Sequence, residues 1–169
     1  MDYQFLPVFQ GLTEQELHDL EQIGAIRRQK FNKHVTVFHV GDLVHEIGIV
    51  SEGSVLIENN DLWGNKSILS RVEKGQVFAE SYAFHEVPLM VDAIADEDSL
   101  ILFLDVQRLM EEQNAQATWY CKMLKILLLI STKKNRNLSN RIFCTTAKTV
   151  RGRLAAFFSE QATKAGSNT

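Results

Sequence analysis

The sequence predicts an α+β protein that is mainly β: a double-stranded β-helix, or jelly roll, with flanking helices and a long C-terminal helix suited to dimerisation. Two observations predict this fold. Short runs rich in Val, Ile and Phe recur between residues 28 and 105, with glycine-containing turns between them, as is typical of an antiparallel barrel or jelly roll. Residues 117–143 then contain neither Gly nor Pro, which favours one long helix because these two residues have the lowest helix propensity.

The predicted fold begins with a short helix. Thr13 is a favourable N-cap residue, and Glu16 three positions later completes the capping-box pattern. An apolar stripe at helical spacing follows, formed by Leu17, Leu20 and Ile23. Gly24 is placed to end this helix.

Five short strands are predicted in the middle of the chain. They cover residues 35–40, 46–50, 54–58, 67–72 and 100–104. The intervening segments contain Gly41, Gly53, Gly64 and Gly75. Because glycine adopts positive φ angles without steric cost, we expect tight turns at these positions.

The second half of the chain is predicted to be helical. A short helix covers residues 106–113, a long helix covers residues 117–143, and a third helix covers residues 149–165. A helix of about 27 residues spans roughly 40 Å, which is more than a small roll can cover. We therefore expect its apolar face to pack against a second copy of the chain in a homodimer; the alternative is a core helix lying over the sheet. This face comprises Trp119, Tyr120, Met123, Leu124, Leu127 and Leu128, and after a polar break Leu138 and Ile142.

Charge divides the chain into two parts. Residues 1–116 hold 8 Lys/Arg against 20 Asp/Glu, a net charge of −12, whereas residues 117–169 hold 10 against 1, a net charge of +9. This division indicates two tasks, one of which involves an anionic partner. No wholly apolar run is longer than that of residues 126–130, which is far shorter than the roughly 20 residues of a membrane span. With only two cysteines and no signal-peptide pattern, we expect a cytoplasmic protein without membrane contact.

Three stretches of sequence carry a family resemblance. Residues 37–42 read VFHVGD, residues 47–55 read IGIVSEGSV, and residues 74–81 read KGQVFAES. In this order, and followed by a long helix, they resemble the cyclic-nucleotide-binding domain of the CRP/FNR transcription regulators. The resemblance runs from about residue 5 to about residue 165.

The resemblance implies three regions. Residues 1–115 would be the effector sensor, residues 116–144 the dimerisation helix, and residues 145–169 the start of a DNA-binding domain. The segment KTVRGRLA at 148–155 resembles the first helix of that domain. The family's recognition helix is absent from the sequence, so we expect DNA binding only in an intact protein with the missing C-terminal domain. We expect this sequence to be a shortened form of the protein, because the apolar side chains of Phe157 and Phe158 would otherwise have no domain to pack against.

The resemblance also locates an effector pocket. In the family, the segment after the Gly75-like glycine is a phosphate-binding cassette, in which a glutamate binds the ribose hydroxyl and an arginine neutralises the phosphate. Glu80 takes the place of the glutamate. Leu89 and Met90 stand where the arginine and its small neighbour would be, and Ala79 replaces a glycine. Since a phosphate without a cationic partner loses an interaction worth about 1.5–3 kcal/mol, we expect a pocket that is not built for cAMP.

The expected pocket suits an apolar or aromatic effector of unknown identity. One alternative is that these side chains fill the roll and nothing binds, and another is that the pocket takes a cyclic nucleotide after all. Its residues are Glu80, Ser81, Tyr82, Phe84, Leu89 and Met90. Lys133 and Lys134, in the polar break of the long helix, would supply positive charge to an anionic effector with an apolar body. A solvated helix face explains these two lysines equally well.

Two other classes of function stay open. A cupin-like metal-dependent enzyme requires clustered histidines and a glutamate, and His39 and His45, six positions apart, match that pattern poorly. A sensor that acts on a protein partner without touching DNA is the second class, and the basic C-terminal segment argues against it. We predict no catalytic residue, metal or cofactor: an iron–sulfur cluster needs four cysteine ligands, and no histidine is forced into haem ligation.

Overall fold

The computed structural model describes residues 4–60 and 66–146, together with Thr149, Leu154 and Phe158. The chain forms two compact units, Met1–Leu127 and Leu128–Thr169. The first unit contains the β-roll and its flanking helices, and the second contains the C-terminal part of the long helix.

Two four-stranded antiparallel sheets form the described part of the roll. Their strand orders are β1-β8-β3-β6 and β2-β7-β4-β5, and every neighbouring pair is antiparallel. This arrangement confirms the predicted fold class. The strands are β1 (Ile26–Phe31), β2 (Thr36–Phe38), β3 (Glu46–Glu52), β4 (Ser54–Asn60), β5 (Lys66–Glu73), β6 (Val77–Phe78), β7 (Asp92–Ala95) and β8 (Ser99–Asp105).

Helices flank the roll on both sides in sequence. Short 3-10 turns lie at Pro7–Phe9 and Glu112–Asn114. The capping box predicted at the first helix is present, since the Thr13 side chain accepts from the Glu16 N–H and the Glu16 carboxylate accepts from the Thr13 N–H. The helices are α1 (Glu14–Gln22), α2 (Glu80–His85), α3 (Val106–Leu109) and α4 (Thr118–Thr146).

The interior of the roll is apolar and rich in aromatic rings. Phe103 packs against Phe31 and Phe38, with ring centroids 6.1 and 5.5 Å apart, and Phe38 also packs against Phe78 at 5.8 Å. Tyr82 packs against the same cluster. Such edge-to-face and tilted pairs add stability beyond the area they bury, so the two sheets share one aromatic core.

Three strands were not predicted from the sequence. β1 exposes four successive polar residues and buries only Phe31, so it lacks the alternation that marks a half-buried strand. β6 and β7 have only two and four residues. Each of these strands forms because a neighbour in the sheet supplies its backbone partners, and this pairing is long-range.

The helix after β8 is shorter than predicted. α3 ends at Leu109, whereas the pattern predicted a helix through residue 113. The side-chain amide of Asn114, itself buried, donates to the Arg108 carbonyl at 2.8 Å and so satisfies the end of the helix. In the predicted third helix, Leu154 and Phe158 are in helical conformation, whereas its first residue, Thr149, forms a bend. Its other residues, Phe157 among them, and the turn at Gly64 lie outside the described residues.

Candidate functional site

The segment between β6 and β7 forms a helix-containing loop on the roll. Ala79, which precedes α2, has a φ of +63° in the left-handed region. A left-handed conformation costs a residue with a Cβ roughly 1–2 kcal/mol. The backbone therefore keeps the shape that a glycine would adopt freely, although the glycine is absent.

Glu80 and Tyr82 of the predicted pocket are both at least partly buried. Glu80 is buried at the first position of α2. Tyr82 is half-buried and packs on the aromatic core. Ser81 and Phe84, on the same short helix, are exposed. Only part of the predicted set therefore shares one environment.

Leu89 and Met90 occupy opposite environments. Leu89 is 4% exposed and belongs to the core cluster of the roll, whereas Met90 is 74% exposed. The Gly41 N–H donates to the Leu89 carbonyl at 2.7 Å, and the Leu89 N–H donates to the Asp42 carbonyl at 2.9 Å. These two bonds hold the end of the cassette against the loop that precedes β3, with an apolar side chain directed into the core.

The polar side chains that the structure buries near the cassette are acidic. Asp92, at the start of β7, is buried and accepts the Val40 N–H at 2.8 Å. Between residues 75 and 107 the sequence contains no Lys or Arg. The cassette itself therefore supplies no lysine or arginine to a phosphate.

Residues that the sequence reasoning did not include also line this region. Phe38 and Phe78 pack together and share the core cluster with Leu89. In the sequence, a phenylalanine on a short strand is equally consistent with an ordinary core residue and with a residue that lines a pocket. No local signal therefore distinguishes these two residues as neighbours of the cassette.

The predicted interface residues of α4 fall into two groups. Trp119, Met123 and Leu127 are buried within a single copy of the chain. Tyr120 and Leu124 are half-buried. The side chains that remain exposed are Leu128, Leu138 and Ile142. Lys133 and Lys134 lie on α4 in the second unit, and their approach to the roll stays a prediction.

The described residues form neither a metal-ligand cluster nor a membrane span. Within them, no group of three or more His, Cys, Asp or Glu side chains is arranged to hold a metal ion. None of the described helices is both long and apolar enough to cross a membrane.

A two-sheet roll with a helix-containing cassette and a long following helix defines a ligand-sensing regulatory domain. The family model of the cyclic nucleotide-binding domain matches residues 28–115, about half of the chain, and the chain belongs to this family. Proteins with this domain are typically regulatory rather than enzymatic. The resemblance inferred from the three sequence stretches is thereby confirmed.

Individual relatives support the same assignment. The chain is 29% identical over 98 residues to the cyclic AMP receptor protein of Thermus thermophilus, covering 58% of this chain and 44% of that protein. It therefore spans less than half the length of this curated relative.

Solved structures show the same fold. A cyclic nucleotide-binding domain from Methylobacillus flagellatus superposes with a TM-score of 0.71 at 15% identity, covering 88% of this chain and 86% of that one. The sensor domain of the transcriptional regulator DNR from Pseudomonas aeruginosa gives 0.58 at 20% identity, covering 88% and 93%. The catabolite activator protein of Thermus thermophilus gives 0.56 at 23% identity, covering 80% and 58%.

Proposed function

We propose that this chain is the effector-sensing and dimerisation part of a cytoplasmic CRP/FNR-type transcription regulator, with an effector other than cAMP. The family assignment and the likeness to sensor domains of regulators support the first part. The second part is supported by one observation: Leu89, which by the sequence resemblance stands where the family's arginine would be, is a buried apolar residue.

The electrostatic argument follows from the residues of the cassette. A cyclic nucleotide carries a negative phosphate, and burying an anion without a cation nearby is costly. Glu80 and Asp92 are buried acids, and the surrounding sequence holds no Lys or Arg. An apolar or aromatic effector suits the core formed by Phe38, Phe78 and Tyr82 better than a nucleotide does.

Isothermal titration calorimetry with cAMP and cGMP tests this proposal. We expect no binding of either nucleotide at micromolar concentrations. Micromolar or tighter binding of either one would overturn the assignment of a different effector. Native mass spectrometry of the purified protein complements the titration, because a retained small molecule would reveal the chemical class of the effector.

The dimerisation part of the proposal rests on the spacing of exposed residues on α4. Leu128, Ser131, Asn135, Leu138 and Ile142 are separated by alternating steps of three and four residues, which is the repeat of a coiled-coil seam. All five are solvent-exposed or partly exposed in a single copy. We infer that this seam packs against α4 of a second copy. Asn135, at the centre of the seam, would then set the register in which the two helices align.

Regulation of DNA binding would then follow from the dimer. An effector that binds one dimer geometry better than another shifts the population toward it. The shift would reposition two DNA-binding domains in the intact regulator. A gel shift with the 169-residue chain alone is expected to show no sequence-specific binding, and specific nanomolar binding would contradict this division of tasks.

A further inference from the structure

A groove lies at one end of the roll, where the loop before β3 meets the start of α3. Its volume is about 450 Å³, and it is open to solvent rather than enclosed. Phe38, Leu43 and Val44 form its apolar wall. Its polar wall includes Asp42, His45 and Gln107. Apart from Phe38, which also packs in the aromatic core beside the cassette, these residues carry no role in the effector pocket or the dimer seam.

The polar groups around the groove have unused capacity to accept hydrogen bonds. Glu46 and Asp105, which also line it, are ion-paired with Arg27 and Arg108. Asp42 uses one carboxylate oxygen to accept the His39 N–H at 2.8 Å, and no Lys or Arg within the described residues forms an ion pair with it.

A further acid and, in the part of the chain that the structure describes, a histidine nitrogen without a hydrogen-bond partner also lie at the groove. Glu86 lies beside the groove, because its carboxylate accepts from the Gln107 amide at 3.1 Å, and among the described residues it too forms no ion pair. The Nδ1 atom of His45 is buried without a hydrogen-bond partner in the described structure. The groove therefore presents net negative charge to whatever occupies it.

An apolar patch continues the groove across the surface. The hydrogen bonds of Gly41 and Asp42 with Leu89 place the two segments that carry this patch side by side. Four large apolar side chains flank those bonds, each at least 44% exposed. They are Val40, Leu43, Val87 and Met90. We call the groove and these four residues together the groove face.

We propose that the groove face docks a basic amphipathic segment of a partner protein. Its apolar part offers a contact surface of the kind that marks protein interaction sites. Its uncompensated acids, Asp42 and Glu86, select a segment that carries Lys or Arg, and they disfavour an acidic one. The open shape suits an extended or helical peptide whose apolar side chains enter a shallow groove.

An NMR titration of the ¹⁵N-labelled full chain with a synthetic amphipathic peptide of Lys and Leu tests the proposal at physiological salt. We expect chemical-shift changes confined to residues 38–46, 86–90 and 105–107. A peptide of the same pattern with Glu in place of Lys is expected to leave these resonances unchanged. Equal binding of both peptides, changes spread over the whole acidic surface, or no binding of the Lys peptide would overturn the proposal.

Two matched double variants separate the groove face from general surface effects. Asp42→Asn with Leu43→Ser is expected to weaken peptide binding at least about fivefold, a factor equivalent to about 1 kcal/mol. Asn at position 42 keeps an oxygen for the His39 N–H, so the loop is preserved. Glu112→Gln with Leu69→Ser removes the same charge and an exposed leucine elsewhere, and it should leave binding unchanged.

The two variants also give outcomes that oppose the proposal. If both double variants weaken peptide binding equally, the affinity depends only on the net charge and exposed apolar area of the chain, and the groove face is not a specific site. If the groove double variant fails to fold, Glu86→Gln replaces it, because this exposed side chain contributes charge without packing. A Glu86→Gln chain that binds the Lys peptide as tightly as the unaltered chain would then count against the groove face.

Discussion

The carboxylate of Glu16 and the ammonium of Lys122 lie 2.8 Å apart, with both carboxylate oxygens at that distance from Nζ. Glu16 is on α1 and almost fully buried, and Lys122 is on α4. The same carboxylate accepts the Thr13 N–H at 2.8 Å. One side chain thus caps the first helix and ties it to the start of the last helix.

This contact makes stability depend on pH in the acid range. Burial alone would raise the pKa of the Glu16 carboxyl, but the hydrogen bonds from Lys122 and the Thr13 N–H, with the charge of Lys122, lower that pKa from 4.5 to about 2. A carboxyl with a lowered pKa in the folded state stabilises the fold above its unfolded value, and this contribution is lost as the pH falls from about 4.5 to about 2.

We therefore expect Glu16→Gln to reduce the free energy of unfolding at neutral pH by about 1–2 kcal/mol. The loss should disappear near pH 2, where the native carboxyl also becomes protonated. Urea unfolding followed by circular dichroism at several pH values measures both effects. Glu14→Gln, an exposed neighbour, is the control, and an equal effect of the two substitutions would rule out the buried ion pair as the cause.

Ala79→Gly is expected to stabilise the protein by about 0.5–1 kcal/mol. Glycine relieves the left-handed strain at φ +63°, and part of this gain is offset by the greater entropy of the unfolded chain. Thermal unfolding measures the change. Ala83→Gly, inside α2, is the comparison and should destabilise, because glycine is unfavourable in a helix interior; a loss of stability from Ala79→Gly would contradict the strain.

Gly48→Ala is expected to destabilise the protein by about 1–3 kcal/mol, the range for overpacking a core. A Cβ on Gly48 would overlap the ring of Phe78, which lies on the paired strand β6. Chemical denaturation provides the measurement. Combining Gly48→Ala with Phe78→Leu should cost less than the sum of the single changes, since the smaller side chain makes room; strict additivity would argue against this contact.

Met90→Arg tests whether a cation next to Leu89, the residue that stands where the family's arginine would be, is enough to admit cAMP. Met90 is largely exposed, so an arginine there need not disturb the core. If the missing charge is what excludes cAMP, calorimetry should detect a gain in affinity of about 10–100-fold, matching a charge-assisted hydrogen bond. Met110→Arg adds the same charge at another exposed methionine and should give no gain. A similar gain in both variants would indicate nonspecific attraction instead.

Leu138→Glu is expected to convert the proposed homodimer into a monomer. The substitution places like charges opposite each other across the symmetric seam of α4 and removes apolar contact. Size-exclusion chromatography with light scattering reports the mass. Leu129→Glu introduces the same charge on an exposed residue off the seam and should leave the dimer intact; a monomeric unaltered chain would refute the dimer itself.

Much of the site geometry follows from pairings that local sequence does not encode. Leu89 reads as an ordinary apolar residue in a loop, and only its two backbone bonds to the loop before β3 show why it is buried while Met90 is exposed. Likewise, the sequence pattern places Trp119, Met123 and Leu127 on the same apolar helix face as Leu128. The fold buries the first three in a single copy of the chain.

The sequence by itself determined the features that depend on near neighbours. These are the capping box of α1, the turns at Gly41, Gly53 and Gly75, the succession of a short helix, a β-roll and a long helix, and the family to which the chain belongs. The tertiary structure decided which distant residues meet: the pairing of β1 with β8, the contact of Glu16 with Lys122, and the depth of Leu89. The physical reason is that capping and turn preferences act within a few residues, whereas burial and strand pairing depend on residues that are distant in the chain.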